Sequence, residues 1–241
     1  AEALVAAGVD VLKMQEGGFG LEHYKAVVEV AKKHGKQTQA HVYFPQAVKA
    51  ALDARIDILQ HVGSGGTPPY PPELMKEIVD RGIPVCPTAA HRVAVFPATV
   101  AFPERLQDPQ LREDFGPKIY EEVQHSFKDW HRLPYFQALI GIGDTPRQIF
   151  FGERGSVEQW ITSGAVVVMG TDSGTPMNFN TEALWREIKL FVDYGMPPLR
   201  AISASTRISA RAMGRGRDLG TIEPGKLADI IVVHGNPLYA I

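Results

Sequence analysis

The sequence has a single cysteine, no apolar run that could cross a bilayer and no cluster of basic residues, and each shortage removes a class of protein. Cys86 alone cannot close an internal disulfide, so a packed core must hold the fold; this usage fits a reducing compartment, the cytoplasm first, and also fits many secreted enzymes. The most apolar stretch, 165–170, is far shorter than the roughly 20 residues a membrane helix needs. With 25 Lys plus Arg against 27 Asp plus Glu, the net charge is -2, and no stripe is laid out to track phosphates. The expected partner is therefore a small-molecule substrate, with no nucleic acid and no membrane; self-association into a homo-oligomer stays open. The chain opens on Ala1 rather than Met and enters a helical Ala/Val pattern at once, so it reads as an excerpt or a processed piece.

What the sequence does have is 44% hydrophobic and 22% charged residues over 241 positions, enough for a sizeable core. Short Val/Ile-rich runs alternate with helical patterns. The run 9–14 precedes a helix over 21–34, where Leu21, Tyr24, Val27, Val28 and Ala31 recur at helical spacing until Gly35 stops it. Residues 37–41 read as a strand, 45–54 as a helix with Pro45 in its first turn, and 56–61 as the next strand. A helix over 72–81 and a strand over 83–87 follow. Regularity then breaks over about 90–160, which is dotted with proline and reads as an insertion with one helix near 118–130. It resumes with a strand over 165–170, a helix over 181–194 with Leu184, Ile188, Phe191 and Val192 on one face, and a last helix over 199–213.

This alternation implies a parallel sheet covered by helices, either doubly wound or a (β/α) barrel. The placement of polar residues favours the barrel. Four of the five strand candidates end, on their C-terminal side, in a residue able to bind metal: Lys13, His41, His61 and Asp172. Barrel enzymes gather their active sites at that end, so four such residues would converge on one point. Singly, each has a plain structural reading: a hydrogen-bonded histidine, a lysine reaching back to water, an aspartate in an Asx-turn or helix cap. The histidines gain weight as a pair because they lie 20 residues apart, one βα unit. Lys13, if buried in a barrel mouth, would have its amine neutral and open to carboxylation. A carboxylate at Asp172, directly after a buried strand, is costly unless it meets a cation or several donors. His23, His34, His125, His131 and His234 read as solvated or structural, and His91 is the least certain of these.

On these residues the chain resembles the amidohydrolase superfamily, in its imidazolonepropionase-like and Xaa-Pro dipeptidase (prolidase) branch. The motifs are 8–13 with Gly17 and Gly18, Ala40-His41-Val42, 56–61, Pro87-Thr88, 170–174 and 219–229. The resemblance implies a partial TIM (β/α)8 barrel, about strands four to eight, followed by a C-terminal piece of a small β-sandwich domain. The corresponding division is a hydrolase barrel over 1–215 and strands of the β-domain over 216–241, where 219–233 read as two short strands around a type II turn at Pro224 and Gly225. It also implies a divalent metal, zinc by expectation, as one or two ions held by a carboxylated Lys13, His41, His61 and Asp172, with Asp172 as catalytic acid/base.

The implied activity is hydrolysis of amide-type carbon–nitrogen bonds, in cyclic amides or Xaa-Pro dipeptides, or of small esters. Departures are the lack of any His-x-His, which the family carries on its first strand, Arg55 where a glycine is usual, and Arg207 near a usual asparagine. A catalytically incomplete fragment is thus the alternative. A further one is a phosphate-binding lyase using 63–66 as an anion loop.

Overall fold

The computed structural model describes residues 1–63, 68–95, 98–99, 102–128, 132, 154–175 and 178–241. Four strands, β1 (Val11–Gln15), β2 (Gln37–His41), β3 (Ile58–Gln60) and β4 (Val85–Cys86), form one sheet in the order β1-β2-β3-β4, every pair parallel. The run 165–170 adds to the far edge: Val85 donates its N–H to Val166 O (2.9 Å) and Val168 donates to Val85 O (2.9 Å). Parallel neighbours need crossover connections, and after a short opening helix α1 (Glu2–Ala6) the helices α2 (Leu21–Lys33), α3 (Pro45–Asp53) and α4 (Pro72–Asp80) supply them. The unbroken chain order is consistent with a (β/α) barrel, since a doubly wound sheet reverses its order at a switch point.

The anticipated elements up to residue 90 are recovered with ends shifted by a residue or two, whereas of the strand expected over 165–170 only an isolated bridge of Val167 to Val85 forms. Helix α2 buries Tyr24, Val28 and Ala31, α3 buries Val48, Ala51 and Leu52, and α4 buries Leu74 and Ile78, each set on one helical face. These stripes cover the sheet face carrying Leu12, Ala40, Leu59 and Val85, and one continuous core runs from Tyr24 to Ala204. The opposite face presents Lys13, Gln39, His41, Gln60 and Cys86, as the register requires.

Four further expectations change. The helix placed near 118–130 belongs to a longer one, α5 (Pro109–Phe127), broken where Gly116 takes φ 72° and Pro117 restarts the turn; Trp130, like most of the second half of the anticipated insertion and His131, lies outside the described residues. In α7 (Ala183–Asp193), which follows α6 (Arg154–Thr162), the buried face is Ala183, Glu187, Leu190 and Phe191, while Leu184 is exposed. The helix read over 199–213 is α8 (Pro198–Ser203), a π-turn (Ala204–Ile208) and α9 (Ser209–Ala212). At the π-turn the Ser209 hydroxyl donates to Ala204 O and accepts from Met169 N–H, tying these helices to the edge of the sheet.

The tail differs most. Lys226 donates its N–H to Glu223 O and Gly225 has φ 88°, as a type II turn requires, but 219–233 form no strands. A strand exists only through the ladder bonds of a neighbour, and no described segment of this chain runs alongside Ile230 to Val233. These four apolar side chains stand between 52% and 96% exposed.

Gly63 shows how tightly the chain is packed above β3. It has φ 80°, and a Cβ there would lie 2.7 Å from the Trp160 ring and 2.9 Å from Ser156 O. Because Trp160 is fully buried and Ser156 O is backbone, neither can yield cheaply. Gly63→Ala is expected to cost about 1–3 kcal/mol, read as a fall in Tm of at least about 2 °C. An unchanged Tm would contradict that packing.

Candidate active site

The candidate site is assembled from backbone bonds that continue the ladder beyond the strand ends. Glu16 donates its N–H to His41 O (2.8 Å), Val42 to Gln60 O (3.1 Å) and His61 to Cys86 O (2.7 Å), so the residues leaving each strand stay in register with the next. The Glu16 carboxylate also accepts from the N–H groups of Tyr43 and Phe44 at the start of α3, where a helix N-terminus favours negative charge.

This places the two histidines side by side, with ring centroids 4.2 Å apart. Tyr43 completes the cluster, 4.8 Å from His41 edge-on and 5.5 Å from His61. His61 is buried and its Nδ1 lies 2.6 Å from Thr88 Oγ1; His41 is half-buried. The loops carrying them are clamped by Tyr70, whose hydroxyl donates to Tyr43 O (2.5 Å) and accepts from Gly63 N–H (2.9 Å). That bond spends the Gly63 amide internally and argues against a phosphate loop there; residues 64–66 of that stretch lie outside the described residues.

Lys13 projects from the same face, but it is not the last residue of its strand. β1 continues to Gln15, which is the register partner of His41, whereas Lys13 pairs with Gln39. Lys13 is also exposed, where the carboxylation reading calls for a buried side chain.

Asp172 follows the fifth extended run and adopts φ 53°. Its carbonyl accepts from Thr175 Oγ1 (2.8 Å), but among the described residues no donor reaches its carboxylate, so it is neither an Asx-turn acceptor nor a helix cap. Lys13 and Asp172 come from the first and last of the five runs, yet both act on one thiol. Burial pushes the Cys86 thiol up, the Glu187 carboxylate adds to this, Lys13 opposes it and Asp172 reinforces it. Gly170 lies against that thiol so closely that a Cβ would sit 2.4 Å from Sγ.

Backbone conformation singles out the same places. Apart from Arg55 on the opposite end of the sheet, the non-glycine residues with positive φ among those described are His61 (68°) and Thr88 (48°), just beyond β3 and β4, and Asp172 (53°), beyond the bridged run 165–170. Such conformations cost about 1–3 kcal/mol each and persist where the surroundings impose them, most often at functional sites.

Two residues escaped the sequence reading. Thr88 lay in a quoted motif without a role, and Glu187 was hidden in what looked like a plain apolar stripe. Glu187 is fully buried and accepts the N–H groups of Ala89 (2.8 Å) and Ala90 (2.6 Å). His91 is buried beside the Asp172 loop, 3.4 Å from Thr175 Oγ1, whereas His23, His34, His125 and His234 are on the surface.

A donor set can be judged from this. Two imidazoles on adjacent strands suit a borderline divalent ion such as zinc. Among the described residues, no three His, Cys, Asp or Glu side chains come together as a complete set. The chemistry of the pair fits a metal, and a complete set would need ligands besides these two.

A parallel β/α sheet that carries a histidine pair and left-handed backbone beyond the C-terminal ends of its strands is consistent with a (β/α)-barrel enzyme. Comparison with known proteins gives the particular family: the amidohydrolase family model matches residues 14–241, and the chain belongs to that family. It is 36% identical over 75 residues, 31% of this chain and 18% of the relative, to the imidazolonepropionase of Thermoplasma volcanium. Its fold is similar to that of a Xaa-Pro dipeptidase crystallised with methionine in its active site, at 23% identity and a TM-score of 0.68 over 98% of this chain and 51% of that one. Molinate hydrolase is similarly close in fold, at 18% identity and a TM-score of 0.69 over 99% of this chain and 49% of that one. The chain thus spans about half the length of these solved structures.

Proposed function

We propose that this chain carries part or all of the centre of a metal-dependent hydrolase that cleaves amide-type carbon–nitrogen bonds of small molecules. His41, His61 and Asp172 would hold a divalent ion, zinc by expectation, with a carboxylated Lys13 as the candidate bridge to a second. The observation that carries the reading is the pairing of His41 with His61 beside three left-handed strand ends. A divalent ion there would supply a water acidic enough to lose its proton near pH 7. Asp172 would take that proton and return it to the leaving nitrogen. Family membership and the hydrolase folds that match support this reaction class. Xaa-Pro dipeptides, cyclic amides, imidazolones and small esters are the substrates to try. The layout proposed for the chain is strands four to eight of a (β/α)8 barrel over 1–215, with 216–241 joining a small β-domain.

Titration with cobalt(II) or zinc(II), followed by visible absorption or calorimetry, tests the centre without assuming a substrate. The chain is expected to bind, and His41→Ala and His61→Ala are each expected to weaken binding at least about tenfold, since even outer partners of metal ligands are worth 10–100-fold. Absent binding, or binding indifferent to both changes, would remove the proposal. Binding without turnover of any of these substrates would favour the incomplete-site alternative.

A further inference from the structure

We infer that Thr88 is a positioning residue that fixes the tautomer of His61, and so decides which ring nitrogen faces the site; this rests on the reading above only in placing His61 in that site. A neutral imidazole carries one N–H, on Nδ1 or on Nε2, and the partner of one nitrogen determines the role of the other. His61 Nδ1 lies 2.6 Å from Thr88 Oγ1, a buried contact. A hydroxyl has a single proton, and Thr88 Oγ1 lies 2.7 Å from Pro87 O, a carbonyl that can only accept, so the bond between them uses that proton. Thr88 Oγ1 can therefore only accept from the ring. Nδ1 must carry the proton, which leaves the lone pair on Nε2, the form in which an imidazole binds a cation or takes a proton.

The hydroxyl is held in place at a cost, and the surroundings meet it. Thr88 is β-branched and has φ 48°, a conformation such residues avoid. The next two amides, Ala89 N–H and Ala90 N–H, are both taken by the Glu187 carboxylate, which reaches in from α7 and fixes the turn that aims Thr88. On the other side Gly170 packs against the turn, where a Cβ would stand 2.4 Å from Cys86 Sγ and in ordinary contact with the Thr88 methyl at 3.7 Å. An ordinary core hydrogen bond would need only some donor and acceptor at this spot. Here the donor count permits one tautomer.

The test uses the chain labelled with 15N in its histidines, metal-free and at a pH above ring protonation. Long-range 1H–15N spectra report which nitrogen is protonated, and His61→Gln identifies the His61 signals by their loss. The unaltered chain is expected to show His61 as the Nδ1–H tautomer. Thr88→Val, which keeps the shape and removes the hydroxyl, is expected to move it toward Nε2–H, and Thr88→Ser to preserve it. Zinc affinity is expected to fall 10–100-fold in Thr88→Val and to be regained in Thr88→Ser. An Nε2–H ring in the unaltered chain would overturn the inference with no variant needed, and so would an unchanged tautomer in Thr88→Val. Should the tautomer behave as expected while no form binds zinc, Thr88 keeps this role and the metal reading fails instead.

Discussion

Asp172→Asn should reduce turnover by about 10²–10⁴-fold, the range for removing a positioned acid/base, while metal binding changes far less. The asymmetry follows from chemistry. An amide oxygen can still donate a lone pair to a cation, but it cannot accept a proton from water and pass it on. Asp172 is equipped for that cycle because the described structure leaves its carboxylate free of hydrogen bonds and holds its backbone at φ 53° just beyond the last extended run. A carboxylate tied up by backbone amides would have the opposite character, with its proton affinity suppressed and its orientation serving the fold. The measurement is kcat and metal content together, in the metal-loaded 241-residue chain or in a longer polypeptide carrying it, whichever turns over. Activity within a few-fold of the unaltered protein, at equal metal content, would end the acid/base assignment. Loss of metal in proportion to activity would make Asp172 a ligand alone.

The residues legible in the sequence are those whose chemistry repeats along the chain. His41 and His61 could be paired from their spacing because one βα unit advances the chain by one strand, and the sheet sets their rings 4.2 Å apart. The helices were legible because glycines 35, 82 and 195, all at positive φ, follow amphipathic stripes directly. The end of β1 was misjudged because Gln15 carries no signal that a strand goes on, and pairing with β2 extends it past Lys13. The tail was over-read for a related reason. Ile230 to Val233 has the composition of a strand, but composition supplies no partner, and those side chains remain exposed. Thr88 and Glu187 were invisible for a deeper one. Their roles rest on contacts across 27 and about 98 residues, and a carboxylate inside an amphipathic helix looks solvated until the chain that packs on it is known.

Glu187 gives the sharpest prediction for stability. Burial raises its pKa to about 7, against the opposing pull of the Ala90 and Ala89 amides. The folded state therefore holds the Glu187 proton more tightly than the unfolded chain, where the group titrates near 4.5. Its contribution to stability is fully present below about pH 4.5 and is lost as pH rises through about 7, because ionising the side chain inside the core costs more than ionising it in water. A shift of that size corresponds to about 3 kcal/mol between the two limits. Glu187→Gln removes the titration. It also turns one amide N–H of the side chain toward a backbone donor, which costs about 1–3 kcal/mol at every pH. Denaturant unfolding of both proteins from pH 5 to pH 8 separates the two effects. The variant should be clearly less stable at pH 5, and the gap should close by up to about 3 kcal/mol toward pH 8. Parallel stability curves would show that Glu187 does not change its charge in this range. The core would then be holding a fixed protonation state around Ala89 and Ala90, and the turn that carries Thr88 would be insensitive to pH.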